Sequence, residues 1–312
     1  MNRVVLCAGL LAVLSGRAFA QTSAPVLATR AGHEINVSLQ HYDYTEPMDL
    51  NISIHGPKVG AEYTGTMLLS EQRHWFGQFN LRGTVGNAAY DGWCRPWQIV
   101  PSSTSANGYR LTLGTASACS ETGDPDWYVD GRVLVGKDLI GSGVAASPFI
   151  GVGLRHLSNG TTGNYDFRTD EYLYVPVGLT LRTSPAPRHV LALTVEYDHL
   201  LRGWQTTRDS LLGGGTVPAT STTPAFAIGD FTDFSFDQHK GMAFRASASY
   251  AIGRWSVAPY YTRWRVNDSP ITTGSVAYAV NNVTVRQTLN AYEPLNMTNE
   301  YGVKLGVRFG GR

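Results

Sequence analysis

A histidine, a serine and a carboxylate are the side-chain types that a serine hydrolase combines, and His156, Ser158 and Glu171 lie within one predicted pair of strands. In such a site the serine hydroxyl attacks an acyl carbonyl, the histidine takes its proton, and the carboxylate orients the imidazole. His156 and Ser158 are two residues apart, so they point to the same face of a β-strand. Glu171 is in register with Leu173 on the next predicted strand, on the same face. Asp170 is expected on the opposite face.

These residues must be held by β-strands, because a period of two dominates the hydrophobic pattern. Apolar and aromatic residues alternate with polar or small ones in about ten segments, each roughly ten residues long, which is the length of a tilted membrane strand. The segments begin near residues 35, 59, 75, 127, 150, 173, 191, 242, 255 and 301. We therefore predict an all-β fold, an antiparallel transmembrane β-barrel of about ten strands.

The connections between the segments alternate in length. The short ones are 70–73, 139–146, 184–188 and 252–253, and the long ones are 46–57, 86–126, 157–169, 202–239 and 266–299. Membrane barrels have short periplasmic turns at one rim and long external loops at the other. The Gly/Thr/Ser/Pro-rich stretch 213–224 is interpreted as an exposed, mobile part of an external loop.

Charged residues occupy the parity opposite to the apolar set, and a charge facing lipid at mid-depth would cost about 2–4 kcal/mol. We therefore expect them inside the barrel, where they can pair. They are Glu62, Arg82, Asp130, Arg132, Arg155, Arg182, Glu196, Asp198, Arg245, Lys304 and Arg308. A barrel of about ten strands is too small for an open aqueous channel. The lumen is expected to be a polar plug, with a narrow porin-like pore at most.

The N-terminus reads as an export signal. Arg3 precedes the apolar run 4–14, and Ala18-Phe19-Ala20 has the small-x-small pattern of a signal-peptidase site. We predict a cleaved signal peptide at 1–20, a short N-terminal segment at 21–33, the barrel domain at 34–312, and a location in the cell outer membrane. The two cysteines that remain, Cys94 and Cys119, are expected to form a disulfide in an oxidising compartment, stabilising their loop by roughly 3 kcal/mol.

Composition excludes several partners. The net charge is +1 and only 16% of residues are charged, so nothing favours nucleic-acid binding. Glycine runs do not open helices as a phosphate cradle requires, and no cofactor is expected. Glu121, Asp124 and Asp126 could hold Ca²⁺ but are interpreted as hydrated loop acids. Asp198 and His199, with His189, lack the spacing of a metal site.

Several stretches resemble known outer-membrane proteins. The last strand, 301–309, is similar to the C-terminal signal of outer-membrane barrels, which implies the barrel-insertion machinery as a partner. Segments 152–159 and 170–179 resemble hairpins of uncharacterised proteobacterial outer-membrane proteins. Ten strands with large external loops resemble the omptin proteases, whose chemistry needs Asp-x-Asp and Asp-x-His pairs. Asp91 has no acid two residues away, and Asp198 and His199 are adjacent, so we do not expect protease activity.

His156-Leu157-Ser158-Asn159 resembles the His-x-Ser-Asn motif of outer-membrane lipid A deacylases. That resemblance implies an acyl hydrolase in which Ser158 attacks, His156 is the base and Glu171 orients it, with Asn159 or backbone donors holding the oxyanion. Here Glu171 is one residue off the family's spacing, and Gly160 comes one place early.

Two functions follow as alternatives. The first is a non-enzymatic barrel with a structural or surface-interaction role in its external loops, with passage of small solutes through a narrow pore as an addition. In that case His156 is an interfacial residue and Ser158 starts a turn. The second is a serine acyl hydrolase acting on outer-leaflet lipid A. Outer-membrane lipid and lipopolysaccharide are the expected contacts in both, and the sequence identifies no extracellular ligand.

Overall fold

A computed structural model describes residues 27–47, 52–161 and 164–310. The predicted signal peptide and residues 21–26 lie outside the described residues. The strands are β1 Gly32–Glu46, β2 Ile52–Ser70, β3 Trp75–Cys94, β4 Trp97–Pro101, β5 Tyr109–Leu113, β6 Ser117–Lys137, β7 Leu139–Ile140, β8 Val144–Thr161, β9 Asn164–Thr183, β10 His189–Thr207, β11 Thr216–Val217, β12 Phe226–Phe231, β13 Phe234–Gln238, β14 Gly241–Ile252, β15 Trp255–Val266, β16 Thr272–Val280, β17 Val283–Ala291 and β18 Asn296–Phe309. A short 3₁₀ helix spans Asp209–Leu212.

The longer strands form a closed antiparallel barrel of 10 strands in the order β1-β2-β3-β6-β8-β9-β10-β14-β15-β18, with β18 paired back to β1. Each of the predicted segments lies in one of these strands, so the predicted fold class is confirmed. No helix among the described residues is long and apolar enough to cross a membrane.

The outer wall is apolar because the period-two pattern turns one set of side chains outward. Leu39 is 65% exposed and Leu305 is 59% exposed, and they lie on the paired strands β1 and β18. A continuous belt of such residues in water would be unfavourable, whereas hydrocarbon is its natural solvent. This architecture is that of outer-membrane β-barrel proteins.

The charged residues predicted to face the lumen do so, and several of them pair across it. Ion pairs and hydrogen bonds run between walls that are far apart around the barrel: Arg155 of β8 donates to Glu300 of β18 (2.8 Å), and Arg245 of β14 donates to Asp130 of β6 (2.8 Å). Tyr128, Tyr174 and Trp264 fill the space between these pairs and are almost fully buried. We call this layer the plug. It is a packed polar core, as expected for a barrel of this size.

The prediction that the long external connections are loops is wrong, because much of their length forms β-strands. Segment 86–126 contains the end of β3, the hairpin β4–β5 and the start of β6, and β16–β17 occupy most of 266–299. Part of 213–224 is strand too, since Thr216 and Val217 form β11. The alternating apolar residues of these segments serve a separate core outside the lipid. Short strands that pair only with one another gave too weak a pattern to predict.

This separate core belongs to a folded unit at the external rim, which we call the cap. Its buried apolar residues come from three different connections: Ile99, Leu111, Phe226, Ile228, Phe231, Val276, Tyr278 and Val280. The predicted disulfide is present, joining Cys94 and Cys119 with 5.7 Å between the Cα atoms, at the base of the β4–β5 excursion. Gln287 of β17 bonds both backbone groups of Leu111, which ties β5 to β17.

Candidate functional site

The structure brings two of the predicted hydrolase residues together. His156 of β8 and Glu171 of β9 are directly opposite one another, and His156 Nδ1 lies 3.4 Å from Glu171 Oε1. Both side chains are partly exposed on the outer wall, directly above Leu154 and Leu173. The imidazole also packs on Trp127 of β6, with 5.2 Å between ring centroids. A carboxylate at this position can fix the orientation of the ring.

Ser158 is placed differently from a solvent-accessible nucleophile. Strand alternation puts it on the same side as His156, between Trp127 and Thr169 on the neighbouring strands. Its surface is 0% exposed. An acyl chain could therefore reach Ser158 Oγ only after the groups that cover it move.

The neighbouring residues face the lumen. Asp170 is buried beside Arg168, with 3.6 Å between Oδ2 and Nε, as its parity predicted. Asn159 is also buried, and its side-chain amide donates to Asp126. The expectation that the Asn159 side chain could hold an oxyanion is wrong, because Asn159 points inward while His156 points outward. Backbone N–H groups are the remaining donors.

Asp198 and His199 point to opposite faces of β10, as strand alternation predicted. Asp198 lies in the lumen, where Arg245 Nε donates to its Oδ2 (2.6 Å), while His199 faces outward beside the Tyr197 ring. Asp91 has His55 as its neighbour, at 3.9 Å, and both are well exposed. Asp126, considered for Ca²⁺, is paired with Lys58. Within the described part of the chain, no group of three or more acidic, His or Cys side chains could hold a metal.

A second cluster, which no sequence pattern indicated, lies at the junction of cap and barrel. Arg168 of β9 contacts the carboxylates of Glu46, Asp170 and Glu293, and Tyr44 donates to Glu293 (3.2 Å). Burial, together with Glu46 and Asp170, raises the pKa of Glu293 to about 8, although Arg168 opposes the shift. Glu293 also joins the two ends of the β16–β17 hairpin. Its N–H donates to Ser269 Oγ (2.8 Å), and its backbone carbonyl accepts from Ser269 N–H (2.9 Å).

Known proteins show only a distant structural similarity to this chain. No protein-family model and no curated protein matches the sequence. Among solved structures, the outer-membrane protease OmpT from Escherichia coli is 11% identical, with a TM-score of 0.45 over 90% of this chain and 98% of that chain. An outer-membrane channel from Pseudomonas putida F1 is 10% identical, with a TM-score of 0.35 over 93% and 100%. The translocator domain of NalP from Neisseria meningitidis is 11% identical, with a TM-score of 0.32 over 90% of each chain.

Proposed function

We propose that this protein is a sealed barrel that anchors a folded cap in the outer membrane, and that the cap is a surface-interaction module. The observation that carries the proposal is the apolar core shared by three external connections. Loops that only join strands have no need of a core, whereas a core, a disulfide and a buried ion cluster hold a surface in one shape. A preorganised surface binds with less loss of entropy than a mobile loop.

One regular external surface is the side of β16–β17 that faces away from this core. Thr273, Thr284, Arg286 and Thr288 are exposed there, in alternation with the residues that pack inward. Hydroxyl groups in a flat array can donate and accept hydrogen bonds, and they suit a polar, extended ligand such as a surface polysaccharide.

The proposal is tested with bacteria that display the protein, assayed on immobilised lipopolysaccharide, sulfated polysaccharides and matrix glycoproteins. We expect at least one of these surfaces to retain the wild type and to lose the variant Thr284→Glu/Thr288→Glu. A matched variant on the periplasmic turn, Ser184→Glu, should bind like the wild type. Equal retention of all three proteins, or no retention of any, would count against the cap as the functional surface.

A second function is favoured by one specific contact, that of His156 with Glu171 on the lipid-facing wall. In this alternative, which we propose beside the first, Ser158 Oγ attacks the carbonyl of an acyl ester in the outer leaflet. His156 takes the serine proton and delivers it to the departing alkoxide, which leaves an acyl-enzyme. Water then attacks the acyl-enzyme with His156 as base, releasing the fatty acid and restoring the serine.

The hydrolase proposal is tested by a mass spectrum of lipid A from outer membranes that contain the protein. Loss of one acyl chain with the wild type, absent with Ser158→Ala and retained with the control Ser120→Ala, is the supporting result. Ser120 is a suitable control because it is exposed on β6, away from the His156–Glu171 pair. Identical lipid A spectra from well-folded samples of all three proteins would exclude deacylation.

A further inference from the structure

Below the plug, the lumen widens into a cavity of about 330 Å³, which we call the vestibule. Its lining extends from the ion pairs Arg132–Glu196 and Lys304–Glu62, at its upper end, to the periplasmic turn at Gly253. The vestibule is therefore blind. A solute can enter it from the periplasmic rim, but the plug stands between it and the cell exterior.

The cations of the vestibule divide into two groups. The cations of the first group form ion pairs with acidic side chains. They are Arg132 with Glu196, Lys304 with Glu62, and Arg182 with Asp138 at 3.4 Å. The second group lies at the rim. Arg30, Arg254 and Arg308 all line the vestibule, and within the described part of the chain none of them forms an ion pair with a carboxylate.

The backbones of Arg30 and Arg254 both lie next to Arg308. The Arg308 guanidinium donates to the Arg30 carbonyl, and Arg308 N–H donates to the Arg254 carbonyl at 2.8 Å. Glu34 is the register partner of Arg308 on the paired strand, and its carboxylate accepts from Ser256 Oγ (3.2 Å). Glu34 supplies one negative charge beside these three positive charges, so the group keeps a net positive charge that a bound anion would reduce.

We propose that the vestibule is a binding site for a small anionic solute of the periplasm, one that carries phosphate or carboxylate groups. Guanidinium groups present paired N–H donors that match the oxygens of both groups. The paired cations deeper in the vestibule are neutralised by their acids, so the rim arginines make the principal contacts. The same phosphate chemistry is offered by phospholipid headgroups of the inner leaflet, and the experiment must separate the two sources.

The test uses the full mature protein, purified in a phospholipid-free neutral detergent and titrated with inorganic pyrophosphate by isothermal calorimetry. We expect saturable binding that weakens as salt is added, and at least about a tenfold loss of affinity in Arg30→Gln/Arg254→Gln. These two residues are exposed, so the substitutions should leave the barrel intact. The matched control is Arg263→Gln/Arg265→Gln, two exposed arginines on the external side of β15, with no expected effect.

The source of the anion is decided by repeating the titration in lipid nanodiscs. Equal pyrophosphate affinity in phosphatidylcholine and phosphatidylglycerol discs is expected for a site inside the vestibule. About a tenfold weaker affinity in phosphatidylglycerol would show that headgroups occupy the rim, which would overturn the assignment to a free solute. Absence of binding in detergent, or equal binding by the rim and control variants, would overturn the site itself.

Discussion

Arg155 and Glu300 stand on opposite walls of the barrel and meet at its centre, where the guanidinium donates to the carboxylate over 2.8 Å. Glu300 also accepts from Tyr128 (2.6 Å) and lies 3.7 Å from Arg82. Both residues of the pair are at most 2% exposed. The pair therefore links the two opposite walls across the lumen. It also shows how inward charges are neutralised inside the barrel.

Removing the charge of Glu300 should destabilise the barrel, because Arg155 and Arg82 would be left buried without their counter-ion. We expect Glu300→Gln to lower the free energy of unfolding by about 3 kcal/mol. Denaturant unfolding in detergent measures this value. Glu171→Gln is the control, since Glu171 is exposed and its loss should change stability by no more than about 0.5 kcal/mol. An equal change in the free energy of unfolding for the two substitutions would show that the Arg155–Glu300 pair does not stabilise the barrel.

The sequence predicts the barrel well because lipid and lumen impose opposite chemistry on alternate residues. Glu300 shares the parity of Lys304 and Arg308 and could have been identified by the rule that found them. The cap could not be predicted in the same way. Its core joins Ile99, Phe226 and Val276, which are far apart in the chain and lie on short strands that pair only within the cap.

The disulfide should stabilise the cap and leave the barrel unaffected. Cys94 and Cys119 are 25 residues apart in sequence. On the chain-entropy model, a disulfide that closes a loop of this length stabilises the folded state by about 3 kcal/mol. We expect Cys94→Ser/Cys119→Ser to make the cap sensitive to limited proteolysis. The barrel fragment should remain resistant to the protease when the digest is separated on a gel. Proteolytic resistance equal to that of the wild type would mean that the apolar core alone holds the cap.

Attachment of the cap to the barrel should weaken as pH rises. The pKa of Glu293 is raised from 4.5 to about 8 in the folded protein, so the folded state retains a proton that the unfolded state loses above pH 4.5. The protonated form is therefore favoured by folding, and stability falls as the pH increases from about 4.5 to about 8.

Glu293→Gln copies the protonated carboxyl and should remove that part of the pH dependence. Thermal unfolding of the cap between pH 5 and pH 9 compares the two proteins. Asp209, whose pKa burial and Asp233 raise to about 6, contributes a slope of the same sign to both. The difference in pH dependence between the wild type and Glu293→Gln therefore gives the contribution of Glu293. Identical slopes would contradict the assignment.

The candidate hydrolase site was predicted in part. The outward register of His156 and Glu171 followed from strand parity, and the structure places them in contact. The burial of Ser158 could not be foreseen, because it depends on the groups that surround the strand end and not on the alternation within it. The inward direction of Asn159 could have been derived, since it is adjacent to Ser158 on one strand.

The most direct test of the sealed barrel is single-channel recording in planar bilayers, with the wild type and with Val276→Asp. Val276 is fully buried in the cap, so a carboxylate there should unfold the cap while the plug remains intact. We predict no discrete conductance steps from either protein, because the seal is made by the barrel's own side chains. Steps from the wild type would contradict the sealed lumen, and steps from Val276→Asp alone would place the seal in the cap.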